Sequence, residues 1–152
     1  MSQKVPKILL VEDNLDDQLL TKMALDIADV AHQLDLVSNG AEALDYLFTK
    51  GDYAERDSND MPSLVLLDLN MPKMGGLEVL RRMRRDPRTR LIPVVILTTS
   101  NQEKDLYESY KLGANSYIRK SVDFAEFTET AKQLGTYWMN INYFPVGQIF
   151  AE

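Results

Sequence analysis

Hydrophobic residues along the chain fall into short runs separated by longer stretches of mixed polarity. The third and fourth runs are almost wholly apolar, which is typical of parallel strands covered on both faces. Each run therefore predicts one short strand. The runs are ILLV (8–11), LDLV (34–37), LVLL (64–67), PVVIL (93–97) and SYI (116–118).

Helical segments with recognisable starts lie between the runs. Asn14 can cap a helix whose first turn carries Asp16 and Asp17, and negative charge is favourable there. The residue before a proline avoids helical geometry, so the helix that Gly75-Gly76 opens should end before Asp86-Pro87. Three other starts pair a capping residue with a glutamate three positions later: Asn39 with Glu42, Ser100 with Glu103, and Asp123 with Glu126.

Alternation of five strands with helices predicts an α/β domain in which a parallel sheet lies between two layers of helices. The polar connection 50–62 is unusually long and is expected to be mobile. In an open sheet of this kind, ligands bind beyond the carboxyl ends of the strands. The residues that follow each apolar run are therefore the candidates for chemistry.

Length and composition narrow the function classes. The 152 residues fit one domain, and no apolar run approaches the ~20 residues of a membrane helix. The net charge of −6 argues against broad nucleic-acid binding, and the absence of cysteine excludes disulfides and thiol chemistry. No signal peptide is recognisable, so a cytoplasmic location is expected. The arginine run 81–90 is interpreted as a solvated face and His32 as a surface residue.

Polar residues follow the first, third, fourth and fifth runs, where the strands should end. Because the carboxyl ends of parallel strands meet at one edge of a sheet, these residues are expected to converge. In chain order the set is Glu12, Asp13, Asp68, Asn70, Thr98, Thr99, Ser100 and Lys120.

The three carboxylates of this set point to a metal-assisted phosphoryl site. Glu12, Asp13 and Asp68 would repel one another if left bare, and oxygen ligands of this kind suit Mg²⁺. Lys120 can act as a point charge toward a phosphoryl group or toward Asp68, and Thr98 offers a hydroxyl donor. Since a carboxylate is also a competent nucleophile toward phosphorus, the pattern predicts that Asp68 is phosphorylated.

Each of these residues has an ordinary structural interpretation when it is taken singly. An acidic pair such as Glu12-Asp13 is most often a loop or helix-cap feature, and a single lysine such as Lys120 is most often solvated. A threonine at a strand end, such as Thr98, can be satisfied locally. Their combination at successive strand ends favours a functional site over coincidence.

At these positions the chain resembles the receiver domain of two-component response regulators, over residues 5–139. ILLVEDN is similar to the family's first strand and acidic pair, and LLDLNMPKMGG is similar to its phosphoacceptor loop. ILTTS and SYIRK are similar to the strand ends that carry the family's threonine and lysine. The resemblance implies a flavodoxin-like (βα)5 three-layer sandwich with a five-stranded parallel sheet in the order 2-1-3-4-5.

The resemblance also implies how the acidic residues work. Asp68 would accept a phosphoryl group from a histidine of a sensor kinase. Mg²⁺ would be organised by Glu12, Asp13, Asp68 and the backbone carbonyl of Asn70. Asn70 and Ser100 match positions that tune how fast the phosphoryl group is lost. Such a protein is not an enzyme toward other substrates, since it catalyses only its own phosphoryl acceptance and loss.

A conformational switch is implied by the same resemblance. Thr98 would swing toward the phosphoryl group that Lys120 also contacts, and Tyr117 would turn inward as Thr98 moves. The surface of the fourth helix, fifth strand and fifth helix would change with them. Most family members have proline after the lysine, whereas this chain has Ser121, so the geometry of that bond stays open.

Several features narrow the resemblance to the single-domain regulators that partner bacterial phytochrome-type histidine kinases. They are the long loop 50–62, VDFAEF (122–127), LGTYWMNIN (134–142) and the expected absence of an output domain after residue 139. Output is then expected to pass through protein contacts. The phosphorylated protein would dock on a downstream protein target or hand the phosphoryl group to a phosphotransfer protein.

The last helix, predicted over 124–139, and the tail 140–152 are rich in aromatic residues. The aromatic residues outside the sheet-facing stripe either fold back over the sheet edge or form a homodimer face. The stripe expected to face the sheet is Phe127, Ala131, Leu134, Trp138 and Ile141. The candidates for a dimer or partner face are Tyr107, Tyr110, Phe124 and Tyr137.

Two rival functions fit part of the pattern. A magnesium phosphohydrolase also forms an aspartyl-phosphate, but such enzymes resemble an Asp-x-Asp pattern and position 70 here is Asn70. A structural interaction module with a receiver fold would not need the complete set of strand-end residues. Phosphorylation-based signalling is therefore the preferred interpretation.

Overall fold

The strand predictions are confirmed by a computed structural model, which describes residues 5–145. Within that range the strands are β1 (Lys7–Val11), β2 (Gln33–Val37), β3 (Leu64–Leu67), β4 (Val94–Thr98) and β5 (Ser116–Arg119). They form one parallel sheet in the order β2-β1-β3-β4-β5, which is the expected flavodoxin-like topology.

Helices cover both faces of the sheet. Within the described residues they are α1 (Leu15–Ile27), α2 (Gly40–Leu47), α3 (Gly76–Arg85), α4 (Glu103–Lys111) and α5 (Phe124–Thr136). α1 and α5 pack together on one face, and α2 packs beside α3 on the other. α4 contacts α3 and β5. No helix between residues 5 and 145 is long and apolar enough to cross a membrane.

The central strands are buried on both sides, as their apolar runs predict. Alternate residues of β3 enter different cores: Val65 and Leu67 pack with α2 and α3, whereas Leu64 and Leu66 pack with α1 and α5. All four of these side chains are fully buried. Each buried aliphatic side chain of this size contributes about 1.5–3 kcal/mol to folding. These two cores hold β3 rigidly, and Asp68 directly follows its last residue.

Helix caps agree with the predicted starts except at α4. Side-chain caps begin the helices at Asn14 for α1, Asn39 for α2 and Asp123 for α5. The prediction that Ser100 caps α4 is wrong, because the N-cap is Gln102 and its side chain makes no capping hydrogen bond. The Ser100 hydroxyl instead donates to Asp105 at 2.5 Å. Ser100 belongs to the connection between β4 and α4, so α4 begins later than the sequence predicts.

Two residues predicted to lie on the surface are largely covered. Arg84, in the middle of the arginine run, donates hydrogen bonds to the carbonyls of Gly113 (3.0 Å) and Ile92 (2.9 Å). Its guanidinium therefore joins α3 to two loops instead of facing solvent. His32 has a side chain that is only 9% exposed, and its Nδ1 lies 2.7 Å from the carbonyl oxygen of Val30. Both side chains are held by loop carbonyls that local sequence does not reveal.

The last helix changes its geometry near its end. After α5, residues Tyr137–Ile141 form a π-helical turn, and the N–H of Asn142 donates to the carbonyl of Tyr137. The wider turn shifts the side-chain register, so Ile141 is 59% exposed and the prediction that it faces the sheet is wrong. Trp138 is buried and stacks on Phe144. The rest of the predicted aromatic tail, 146–152 with Phe150, lies outside the described residues.

The long connection 50–62 is attached to the domain by Arg56. Its guanidinium donates to the carbonyl of Tyr46 at 2.8 Å and lies 4.1 Å from the centre of the Tyr46 ring. The loop is also joined to β1, because Lys7 Nζ lies 2.5 Å from a carboxylate oxygen of Asp60. The loop therefore lies against α2 and β1, and its mobility stays a prediction.

Gly76→Ala is expected to destabilise the fold more than Gly75→Ala. A Cβ at position 76 would overlap the backbone carbonyl of Asp68, whereas a Cβ at position 75 would lie 3.3 Å from the Leu69 carbonyl oxygen. A backbone carbonyl at the end of a buried strand cannot move aside easily. Gly76→Ala should therefore cost about 2–3 kcal/mol, and Gly75→Ala below about 1 kcal/mol. Urea unfolding measures both, and equal midpoints would contradict this packing argument.

Candidate functional site

The carboxyl ends of β1 and β3 bring three carboxylates together. The two strands pair with Val11 opposite Leu67, so Glu12 and Asp68 follow neighbouring strands side by side. Carboxylate oxygens of Glu12, Asp13 and Asp68 all lie within 4.8 Å of one another. Glu12 and Asp68 are buried and Asp13 is exposed. The cluster therefore opens to solvent on the Asp13 side.

Main-chain hydrogen bonds extend the strand ladder into the site and fix where its side chains start. The N–H of Asp68 donates to the carbonyl of Val11 at 3.1 Å, and the N–H of Lys120 donates to that of Thr98 at 2.7 Å. Asn70 is exposed just beyond, and its N–H lies 3.5 Å from Oδ1 of Asp68. These backbone hydrogen bonds thus fix the positions of Asp68, Thr98 and Lys120 relative to one another at the rim of the sheet.

Lys120 is the cation of this rim, and its side chain is only 4% exposed. Its ammonium donates a short hydrogen bond to Glu12 and a second, of 2.9 Å, to Asp17. Its distance to Oδ2 of Asp68 is 3.8 Å. Burial by itself would lower the pKa of Lys120, but its hydrogen bonds to the two carboxylates raise it. The side chain is therefore positively charged at neutral pH.

Glu12 is the carboxyl group whose ionisation is most affected by the fold. Burial raises the pKa of Glu12 from 4.5 to about 7, although the hydrogen bond and the charge of Lys120 act in the opposite direction. Oε2 of Glu12 also accepts the N–H of Asn14 at 3.1 Å. A cation placed beside this group would favour its charged form and release a proton.

The connection from β4 to α4 links the threonine to the aromatic residue on β5. Thr98 is fully buried, and its hydroxyl oxygen accepts the N–H of Ser100 at 3.3 Å. The carbonyl of Ser100 accepts the hydroxyl of Tyr117 at 3.3 Å. Tyr117 is partly buried against the core on the α2 and α3 side. Ser100 therefore contacts both Thr98 and Tyr117.

Asp17 is a site residue that sequence reasoning missed. The sequence indicates it only as a favourable charge in the first turn of α1, three residues after the capping residue Asn14. Its contact with Lys120 joins positions 103 residues apart in the chain. No local pattern contains that pairing, because it depends on the order of the strands. A second charged group close to the capping residue was the only available hint.

The donor set fits a hard divalent cation. Glu12, Asp13 and Asp68 offer carboxylate oxygens, and the described residues of the cluster include no nitrogen or sulfur ligand. Such oxygen sites suit Mg²⁺ or Mn²⁺, which keep bound waters and leave room for a further oxygen ligand. The rim can therefore hold a divalent cation beside a nucleophilic carboxylate.

A protein-family comparison identifies the domain type. The model of the response regulator receiver domain matches residues 8–132, which is most of the chain. The chain belongs to the response regulator receiver family. Receiver domains are signalling modules whose partners are histidine kinases. Membership of this family therefore indicates a role in signalling and not in metabolic catalysis.

Individual receiver proteins are similar over nearly their whole length. Response regulator Rcp1 of Synechocystis sp. is 36% identical over 132 residues, which is 87% of this chain and 88% of Rcp1. The structure of the phosphorylated cyanobacterial phytochrome response regulator RcpA is 40% identical, with a TM-score of 0.87 over 93% of this chain and 99% of RcpA. The Mn²⁺-bound form of Rcp1 gives a TM-score of 0.86 at 35% identity, over 92% of this chain and 99% of that chain. The narrower resemblance to phytochrome response regulators is thereby confirmed.

Divalent-metal binding by this receiver domain is expected to weaken as the pH falls below about 7. Burial raises the pKa of Glu12 to about 7 in the metal-free protein, so a metal ion must displace a proton there. Isothermal titration with Mn²⁺ at about pH 6 and about pH 8 should show tighter binding at the higher pH. An affinity that does not change between these values would contradict the assignment.

Glu12→Gln serves as the control, because it removes the titrating group and should flatten the pH dependence of metal binding.

The raised pKa of Glu12 also affects folding, since between pH 4.5 and about 7 the folded metal-free chain binds more protons at Glu12 than the unfolded chain. The contribution of Glu12 to stability is therefore greatest below pH 4.5 and is lost as the pH rises toward 7.

Proposed function

We propose that this chain is a single-domain response regulator whose Asp68 accepts a phosphoryl group from a sensor histidine kinase of the phytochrome type. The observation that carries the proposal is the convergence of Asp68 with two further carboxylates and the ammonium of Lys120. Similarity to the phytochrome response regulator RcpA supports the choice of kinase class. Residues 5–139 would act as the receiver domain and 140–152 as an aromatic tail.

In the proposed reaction, a carboxylate oxygen of Asp68 attacks the phosphorus of a phosphohistidine. A P–O bond forms, the P–N bond breaks, and the imidazole leaves with the electron pair of that bond. Glu12, Asp13, Asp68 and the backbone carbonyl of Asn70 would hold Mg²⁺, which supplies positive charge beside the phosphoryl oxygens when it is bound. Lys120, 3.8 Å from Asp68, supplies a second positive charge on the same side.

Thr98 and Tyr117 would couple the phosphoryl group to a change at the surface. If the Thr98 hydroxyl turns to a phosphoryl oxygen, it releases the N–H of Ser100, whose carbonyl holds the Tyr117 hydroxyl. The connection before α4 would then rearrange, and Tyr117 would turn inward. Asn70 and Ser100 would tune how fast the phosphoryl group is lost, because both lie within two residues of groups that contact it.

The first helix offers a surface for the partner that delivers the phosphoryl group. Leu15, Leu19, Met23 and Ile27 follow one another at four-residue spacing along α1, and they are between 44% and 76% exposed. Four exposed apolar side chains in one row are typical of a protein contact. The row begins two residues before Asp17, whose carboxylate meets Lys120, so a partner docked there would reach the rim.

The output surface would lie on α4, β5 and α5. Its exposed aromatic residues would form either a homodimer face or the contact with a downstream protein target; they are Tyr107, Tyr110, Phe124 and Tyr137, between 47% and 66% exposed. Phosphorylation would change this surface through the connection that contains Ser100. Signal output would then be a protein contact that depends on the state of Asp68.

Two alternatives remain compatible with the fold. In the first, the chain is a phosphorelay intermediate that passes its phosphoryl group to a phosphotransfer protein. In the second, it is a protein-interaction module that is never phosphorylated. The ion pair between the buried ammonium of Lys120 and the buried carboxylate of Asp68, at 3.8 Å, favours phosphorylation, because an inert module would not require a positive charge there.

Asp68→Asn is expected to abolish phosphorylation while leaving the fold intact. Wild-type protein incubated with Mg²⁺ and acetyl phosphate should gain ~80 Da, the mass of one phosphoryl group, because the carboxylate attacks phosphorus and the amide does not. Intact-mass spectrometry measures the adduct, and omission of Mg²⁺ should also remove it. Asp52→Asn, at an exposed acid away from the rim, is the control and should label normally. Labelling of Asp68→Asn would contradict the assignment of Asp68 as the phosphoacceptor.

Leu19→Glu is expected to slow phosphoryl transfer from a phosphorylated phytochrome-type histidine kinase by about tenfold, since it places a charge in the apolar row of α1. Labelling by acetyl phosphate should be unchanged, because this small donor needs no docking surface. Radiolabel transfer measured against time separates the two. Leu91→Glu is the matched control: Leu91 is 50% exposed, as against 57% for Leu19, but it lies just before the first residue of β4, at the amino ends of the strands and away from the rim. Equal slowing by both variants would refute α1 as the docking surface.

A further inference from the structure

The ammonium of Lys120 is shared unequally among the carboxylates around it. It lies 2.9 Å from Oδ2 of Asp17 and makes a shorter hydrogen bond to Glu12, but it is 3.8 Å from Oδ2 of Asp68. Only the first two contacts are hydrogen bonds, because 3.8 Å exceeds the range for a donor and an oxygen acceptor. Lys120 is therefore held toward α1 and away from the proposed phosphoacceptor.

The carboxylate of Asp17 can contact Lys120 because a different residue, Glu12, accepts the N–H of the capping residue Asn14. In a capping box, a Glu or Gln three residues after the capping residue accepts the N–H of that capping residue. Here the N–H of Asn14 goes to Glu12 at 3.1 Å, while the N–H of Asp17 itself donates to the side chain of Asn14 at 2.9 Å. The carboxylate of Asp17 is thus available to Lys120. Its side chain is 29% exposed, which leaves it the most accessible partner of a buried ammonium.

The charge of Asp17 also opposes a phosphoryl group at Asp68. Glu12, Asp13 and Asp68 form the carboxylate cluster that fits a metal ion, and Asp17 lies outside that cluster. It therefore adds a negative charge near Lys120 without being one of the cluster's ligands. A phosphoryl group carries about two negative charges, so it competes with Asp17 for the same ammonium and is repelled by it.

We propose that Asp17 is a positioning residue that holds Lys120 away from Asp68 and thereby weakens the binding of a phosphoryl group there. The proposal rests on the proposed function, since it assumes that Asp68 is the phosphoacceptor. The contact between Asp17 and Lys120 stabilises the unphosphorylated arrangement. The stronger this contact is, the more binding free energy the phosphoryl group must supply to move the ammonium toward Asp68.

Asp17→Asn tests the proposal, with beryllium fluoride and saturating Mg²⁺ as a non-covalent probe of the phosphoryl site. Binding is followed by the amide NMR signals of residues 68–75 and 98–100. The variant keeps the shape of the side chain and loses its charge, so it should bind the probe about three- to tenfold more tightly than the wild type, as expected for one partly exposed charge at hydrogen-bond distance. Asp16→Asn removes an exposed charge from the same helical turn and should bind like the wild type.

Asp17→Glu provides a rescue that a merely structural role would not give. It restores the charge within reach of Lys120 and should return the affinity close to the wild-type value. Equal affinities for Asp17→Asn and Asp16→Asn, or weaker binding by Asp17→Asn, would overturn the proposal while the wild type still binds the probe. Failure of the folded wild type to bind the probe at all would instead overturn the assignment of Asp68, and this inference with it.

Discussion

Burial of like charge at one edge of the sheet is the constraint on which the rest of the structure depends. Parallel strands that end together place Glu12 and Asp68 side by side, and burial there raises the pKa of Glu12. Lys120 reaches this edge from the other end of the chain and shares its charge between them and Asp17. A buried ion pair is weak evidence for added stability. Its importance here is that it places a positive charge 3.8 Å from Asp68, the proposed phosphoacceptor.

The site combines a rigid part with a part that can rearrange. Asp68 follows a strand buried in two cores, and Gly76 packs so closely on its carbonyl that a Cβ would overlap it. The threonine side of the site is different, because Thr98 and Tyr117 are joined through single hydrogen bonds to Ser100. This arrangement would suit the proposed switch, since the geometry at Asp68 would be kept while the connection at Ser100 rearranged.

Both candidate contact surfaces begin at the same rim. α1 starts next to the acidic pair and carries the exposed apolar row, and α4 starts beyond Ser100 and carries Tyr107 and Tyr110. A partner on α1 and a partner on α4 would thus each lie within one helix length of Asp68. The proposed kinase contact on α1 and the proposed output contact on α4 therefore both lie close to the carboxylate site. Coupling between them would not require a long path through the core.

The sequence by itself determined the strands, most helix starts, the strand order implied by the family and the set of residues at the strand ends. These features are encoded locally: apolar runs report burial, and a cap such as Asn14 reports a helix start within three residues. Tertiary structure decided what those residues touch. The pairing of Asp17 with Lys120, the covering of Arg84 and the exposure of Ile141 all depend on distant chain segments or on the register of a turn. Periodicity and capping describe neighbours along the chain, and no such pattern specifies which charge faces which across a folded sheet.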